Sequence, residues 1–257
     1  MNFGRRPIDQ LGRRAIERWM AERASATTPA TLRTELSAVR TFGRWLALEG
    51  HLRSDPTLGV PTPRVPRTVP RALERTDVAR TLMACPDSRA RAIVWLMVGC
   101  GLRRAEVAAL QLGDVDRGAG IIYVRGKGGH ERIVPLVLEV RRALEAYLSD
   151  VPATAGALIR QADGTGALTP TTVGLYVQRW MRDAGVKRAG RDGKGCHSFR
   201  HTCASDVAER APDLRVVQDM LGHRSLATTQ VYLRRAKLSD MAAAMAGRDY
   251  TTPTDAA

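Results

Sequence analysis

The sequence predicts a mainly α fold with one small antiparallel β-hairpin, an α+β arrangement in two unequal parts. Three observations predict it. Apolar residues recur at three- and four-residue spacing along most of the chain, the period of an amphipathic helix. Two short strand-like runs, 121–124 and 132–135, flank Gly126-Lys127-Gly128-Gly129, the pattern of a tight hairpin. Five prolines between 55 and 72 (Pro56, Pro61, Pro63, Pro66 and Pro70) remove backbone donors and fix φ, so that stretch is an extended connector. The expected organisation is a short helical domain over 1–60, a Pro/Arg-rich linker over 61–73, a larger domain over 74–250 and a disordered tail over 251–257.

Each element follows from local chemistry. A short helix is expected over 8–24, with Leu11, Ile16, Trp19 and Met20 on one side. A longer one is expected over 28–49, where Leu32, Leu36, Val39, Phe42 and Leu46 form the apolar stripe. Thr28 suits its N-cap, Pro29 its first turn and Gly50 its end. Beyond the linker, Thr76 is expected to cap a helix reaching about Ala84. A mostly buried helix over 88–99 and a short one over 104–112 follow. After the hairpin come helices near 137–149, 170–184, 198–209 and 213–221, then a segment bearing Tyr232 and a last helix near 237–246.

Composition narrows the partner. Lys and Arg number 40 against 26 Asp and Glu, a net charge of +14, and most of the excess is Arg, whose planar fork suits phosphate. Such an excess points first to nucleic acid, although Arg-rich codon usage or anionic lipid would also give it. Four cysteines without CxxC pairing fit free thiols in a cytoplasmic protein. The charged N-terminus lacks the apolar run of a signal peptide, and the apolar run 92–100 is too short to span a membrane.

Four short stretches carry candidate chemistry. In Gly101-Leu102-Arg103-Arg104-Ala105-Glu106, an Arg at a helix start can meet an anion beside free backbone N–H groups, and Glu106 can hold an Arg in place. An ordinary helical corner would look the same. Lys127 sits among glycines that permit close approach to a ligand, and Lys, unlike Arg, can give up a proton. A solvated loop lysine is the plainer reading. His197 and Arg200, three apart on a helix, can grip one phosphate. His197 and His201, beside Cys196 and Cys203, also admit a metal site, although no ligand pair at the usual spacing completes it, and His201 also reads as a core histidine. Finally His223 follows the helix stop Leu221-Gly222, and Tyr232 lies nine residues on. Arg33, Arg40 and Arg44 are candidate DNA contacts on one helix, where a solvated face is the plainer reading, and Arg64, Arg67, Arg104 and Arg125 are further candidates.

Two arginines, a lysine, two histidines and a tyrosine with no acidic cluster describe metal-free phosphoryl transfer. Cations would neutralise the non-bridging oxygens, and the phenol would need help to lose its proton. The ordered set Gly101-Leu102-Arg103…Glu106, Gly126-Lys127-Gly128, His197-x-x-Arg200-His201, Leu221-Gly222-His223 and Tyr232 resembles the tyrosine recombinase (phage integrase, Xer-like) family, over roughly residues 28–247. The resemblance implies the family's catalytic fold over 74–250, preceded by a SAM-like core-binding clamp. It implies that Arg103 and Arg200 clamp the scissile phosphate and His223 donates to a non-bridging oxygen. Lys127 would protonate the leaving 5′-oxygen, His197 would assist proton transfer at Tyr232, and Glu106 and His201 would support these groups. Tyr232 would be the nucleophile, forming a 3′-phosphotyrosyl link. No metal and no cofactor are implied. The implied partners are double-stranded DNA and a tetramer on two sites, joined through helix 237–246. Accessory DNA-bending proteins or a partner recombinase, and a nucleoid-associated cytoplasmic location, are implied with them.

The chain departs from the family pattern in three places. About two helices precede the connector where four are usual, corresponding to the second half of that domain. Arg104-Ala105 replaces an apolar-Ser pair, and Leu233-Arg234 stands where Thr-His is common. Alternatives on the same residues are type IB topoisomerase chemistry and, from another class, a non-catalytic DNA-binding protein on the same fold, with a metal-dependent nuclease below both.

Overall fold

The structure, a computed structural model, describes residues 8–66, 72–126, 129–151, 155–161, 163–164, 166–188, 192–210 and 213–222. The chain divides into two compact units, Met1–Thr68 and Val69–Ala257, and the division falls inside the proline-rich 61–73 segment.

The first unit is a helical pair. A 3₁₀ turn at Ile8–Gln10 precedes α1 (Arg13–Ala24), so the single helix expected over 8–24 is broken at Leu11-Gly12. Gly12 takes an extended conformation at the N-cap with no side chain to cap the helix. Helix α2 (Pro29–Leu48) starts as expected: Thr28 Oγ1 accepts from the Thr31 N–H at 3.2 Å, and Pro29 occupies the first turn. Ile16 and Trp19 of α1 pack against Leu32 and Leu36 of α2 and against Val60. Arg23 Nε donates to Glu35 at 2.9 Å and ties the two helices together. Phe42 departs from the expected stripe. It is 50% exposed and stacks on Trp45 at 5.8 Å. The buried position beside it is Gly43, where a Cβ would meet Asp55, Pro56 and Thr57 within 3.2 Å. The connector therefore packs on α2 where a phenyl ring would not fit.

The second unit is built around α4 (Ser88–Gly99), capped by Asp87, whose carboxylate accepts from Ala90 N–H at 2.7 Å. Ala90, Ala92, Ile93, Val94, Leu96 and Met97 are all buried, so this helix is apolar on nearly every side, as a central helix must be. Before it lies α3 (Arg75–Met83), whose N-cap is Glu74; the Thr76 cap expected from sequence lies inside the helix. After it comes α5 (Arg104–Ala109), shorter than the 104–112 expected, because the chain turns at Leu110 into a 3₁₀ turn at Leu112–Asp114. The hairpin forms from β2 (Ile121–Arg125) and β3 (Glu131–Pro135), antiparallel, with Tyr123 opposite Ile133 and Arg125 opposite Glu131. A two-residue strand, β1 (Val115–Asp116), pairs with β2 and makes a three-stranded sheet in the order β1-β2-β3. Two residues are too short to show alternation, so β1 left no sequence signal.

Helices α6 (Leu138–Asp150), α7 (Pro170–Asp183), α8 (Cys196–Arg210) and α9 (Leu214–Leu221) complete the described chain. Thr169 and Asp213 cap α7 and α9 with side-chain oxygens. Helix α8 begins two residues earlier than expected, which brings His197 into its first turn. Phe199 of α8 enters the main core beside α4, so the face carrying Ser198 and Phe199 is buried. Of the other tyrosines, Tyr147 is buried and its hydroxyl accepts from Arg160 N–H, whereas Tyr176 packs on Trp180. Among the described residues no helix is long and apolar enough to cross a membrane.

Candidate active site

The site forms where the ends of α4, α5 and α9 meet strand β3 and the first turns of α8. Gly101 makes the first turn possible: its φ is +64°, and a Cβ there would lie 2.9 Å from Leu221. The chain then reverses and presents Arg103 at the N-cap of α5. Glu106, one turn on, folds back. It accepts from the Arg103 backbone N–H at 2.8 Å and from Arg103 Nη1 at 2.7 Å. The short spacing read from sequence thus becomes a closed loop of hydrogen bonds.

Glu106 is the centre of the cluster. It is 6% exposed and also receives a two-pronged donation from Arg132, Nη1 to Oε1 at 2.9 Å and Nη2 to Oε2 at 2.8 Å. Arg200 Nη1 lies 3.8 Å from the same carboxylate. Three guanidiniums therefore surround one carboxylate, and the cluster keeps positive charge in excess. Burial acts to raise the Glu106 pKa, but hydrogen bonds from Arg132 and the Arg103 backbone, with the Arg132 charge, outweigh it and hold the carboxyl below its usual range.

Arg200 is nearly fully buried, at 4% exposure. It donates to the Gly101 carbonyl and, at 2.5 Å, to the Leu221 carbonyl. Arg132 Nε donates to the neighbouring Met220 carbonyl at 2.8 Å. The Met220 and Leu221 carbonyls belong to the last turn of α9, where no intrahelical donor exists, so two arginines satisfy a helix C-terminus that is also the negative end of its dipole. The helix stops at Gly222, left-handed at φ +61° and ψ +49°, as the Leu221-Gly222 pair predicts.

Arg103 is the more open member, with 37% of its side chain exposed. His197 is exposed at the same end of α8. Partial desolvation, then the charges of Arg104, Arg200 and Arg103, lower its pKa below the ordinary histidine value. His201 is half-buried, and burial followed by the charges of His197 and Arg200 lowers its pKa as well. No group of three His, Cys, Asp or Glu among the described residues is arranged to hold a metal ion. Cys100 and Cys203 are buried beneath the site, and burial pushes both thiols up to about 12.

Arg103, Glu106 and Arg200 are thus brought together, with His197 and His201 on the adjoining turns of α8. Lys127, His223 and Tyr232 lie outside the described residues, as do helix 237–246 and Arg67. Lys127 follows β2 by two residues, so by sequence it belongs to the loop joining the strand that bears Arg125 to the strand that bears Arg132. Arg132 was not singled out from sequence. Its partners lie 26 and 88 positions away, and no local spacing announces them.

The candidate DNA contacts divide. Arg33, Arg44, Arg64 and Arg104 are exposed. Arg40 turns back on its own unit, donating to the Val60 carbonyl at 2.7 Å and to Thr62 Oγ1 at 2.8 Å. Arg125 is exposed and paired with Asp114 at 2.9 Å and Glu131 at 3.0 Å.

A cluster of arginines around a buried carboxylate, on a helical domain with one small sheet, defines an anion-handling site. The family model described as the phage integrase family matches residues 72–238, most of the second unit. A tyrosine recombinase XerC of Azotobacter vinelandii is 38% identical over 232 residues, covering 86% of this chain and 73% of that protein. A tyrosine recombinase XerD of Caulobacter vibrioides is 36% identical over 222 residues, covering 81% and 72%. In fold, the chain resembles the XerH site-specific recombinase in a post-cleavage complex with its difH substrate, with a TM-score of 0.75 and 20% identity over 93% of this chain and 73% of that one. The chain belongs to the phage integrase family. It is a tyrosine recombinase, an enzyme of site-specific DNA recombination.

Proposed function

We propose that this protein cuts and rejoins double-stranded DNA through Tyr232, without metal or nucleotide. The observation that supports this most is the shared carboxylate: Glu106 binds Arg103 at 2.7 Å and lies 3.8 Å from Arg200, so both guanidiniums are held in one place with charge to spare. A phosphodiester brought there would meet two cations already oriented. Developing charge on its non-bridging oxygens is then stabilised without reorganisation, an effect on the order of 10²–10³-fold for a single well-placed donor.

Tyr232 Oη attacks phosphorus and the bond from phosphorus to the 5′-oxygen breaks. The phenolic proton leaves with help from His197, whose lowered pKa keeps the imidazole neutral and able to accept it. Lys127 delivers a proton to the departing 5′-oxygen, and His223 donates to a non-bridging oxygen. The products are a 3′-phosphotyrosyl link and a free 5′-hydroxyl. The 5′-hydroxyl of a second duplex then reverses the step and releases Tyr232. Because the phosphoester is conserved, no ATP is consumed.

The first unit serves as part of the DNA clamp, with exposed Arg33 and Arg44 on the backbone. The working assembly is a tetramer on two DNA sites, joined through helix 237–246, with accessory DNA-bending proteins or a second recombinase as further partners and the nucleoid as its place in the cytoplasm.

The test is covalent trapping. A nicked duplex selected from a randomised pool by its capture on the wild-type chain serves as substrate. The adduct is expected to form in EDTA and without ATP, and Tyr232→Phe is expected to abolish it while sparing binding. Undiminished adduct in that variant would refute the assignment.

A further inference from the structure

We infer that Arg132 is a positioning residue, which locks the strand leading from the Lys127 loop, the arginine pair and the end of α9 into one register. This rests on the strand transfer proposed above. Arg132 stands on β3, five residues after Lys127. From that strand it reaches two other elements at once. Its Nη1 and Nη2 take both oxygens of Glu106 on α5, and its Nε takes the Met220 carbonyl on α9. Its side chain is only 10% exposed, so these bonds are shielded from water. The remaining space is tight: a Cβ at Gly222 would lie 3.1 Å from Arg132 Cδ.

This geometry has one mechanical consequence. Glu106 holds Arg103, and the Leu221 carbonyl next to Met220 holds Arg200. Arg132 is bonded to Glu106 itself and to the Met220 carbonyl, one residue before the carbonyl that holds Arg200. It also lies close to Gly222, the residue that precedes His223 in sequence. The general acid approaches by way of the hairpin, the clamp by way of α5 and α8, and the segment carrying His223 and Tyr232 by way of α9. Arg132 is the side chain that joins all three routes. A planar fork can do this and an ammonium cannot, since Lys has one nitrogen for three separated acceptors. Misplacement of reacting groups by about 1 Å can cost on the order of 10²-fold in rate, so the loss of this strut is expected to act on cleavage and not on DNA affinity.

The experiment uses the full chain and the selected nicked duplex, made either with the natural phosphodiester or with a methylphosphonate at the cleavage position. Arg132→Met is expected to slow single-turnover adduct formation about 100-fold on the phosphodiester while leaving the dissociation constant within about threefold. Arg132→Lys is expected to restore thermal stability but not rate. The defect should shrink on the methylphosphonate, which carries no charge for the arginine pair to meet. Arg132→Met also leaves the Glu106 carboxylate less paired, so Glu106→Gln/Arg132→Met is compared with Glu106→Gln alone. Equal cleavage by those two variants would show that Arg132 only neutralises a buried charge and would overturn the inference. So would a rate for Arg132→Lys equal to wild type, or an undiminished defect on the methylphosphonate. Failure of the wild-type chain to form any adduct would sink the strand-transfer reading and this inference with it.

Discussion

Two sets of arginines in this chain do different work, although the sequence writes them alike. Around Glu106, Arg103, Arg132 and Arg200 are fixed by hydrogen bonds to one carboxylate and to the carbonyls of Gly101, Met220 and Leu221. On α2, Arg33 and Arg44 stand exposed, and between them Arg40 is turned inward onto the connector. Arg132 and Arg200, held at 4–10% exposure, and the more open Arg103, tied to Glu106, are oriented before any ligand arrives, whereas a solvated charge is screened within about 10 Å at ordinary salt. Net charge therefore reveals a partner of opposite sign, and burial reveals which charges can do chemistry.

The contrast predicts a graded set of effects. The largest belongs to Arg200→Ala, which is expected to reduce adduct formation on the order of 10³-fold and to lower the melting temperature, because the Gly101 and Leu221 carbonyls lose their donor. Loss of rate with no change in melting temperature would separate the two duties of Arg200. Next is Glu106→Ala. Removing the carboxylate that three guanidiniums share leaves uncompensated buried charge, which is expected to cost about 3–5 kcal/mol in chemical unfolding. A loss below about 1 kcal/mol, the range of an exposed pair, would mean that the cluster is not held by Glu106.

A smaller effect concerns pH. The folded-state pKa of His197 lies below the ordinary value of 6.5, so just below that pH the unfolded chain binds more protons than the folded one. Stability should therefore fall as pH drops from 6.5 through the folded pKa, and should be unaffected by this group above 6.5. His197→Asn is expected to shallow that fall in denaturation curves, with His201 contributing the remainder in the same direction. An unchanged slope would show that His197 is neither desolvated nor surrounded by positive charge in solution. Smallest is the division within α2. Arg40→Met is expected to cost about 1 kcal/mol of stability. Arg44→Met should cost almost none, and should instead reduce the salt dependence of DNA binding by about one counterion. Reversed effects would erase the distinction between the inward and outward faces.

What was legible in the sequence follows the same physics. Gly101, Arg103 and Glu106 lie within a few residues of one another, and Leu221 adjoins Gly222, so each group was legible as a local pattern, although an ordinary helical corner would show the first as well. The helices were readable where a stripe or a cap is local, as at Thr28. Readings failed where distant packing decides. Phe42 fits the α2 period yet is exposed, because residues 55–57 press on Gly43. The 8–24 helix has the right period and breaks at Gly12, which offers no cap. Arg132 looked like one more strand residue, since its partners are brought to it only by the folding of the second unit.

The central claim is that the buried arginine cluster serves one tyrosine among five. Digestion of the trapped protein–DNA adduct and sequencing of the DNA-linked peptide tests this most directly. The account predicts a single peptide, with the DNA 3′-phosphate on Tyr232. Attachment at Tyr123, Tyr147, Tyr176 or Tyr250, or at a residue other than tyrosine, would contradict it.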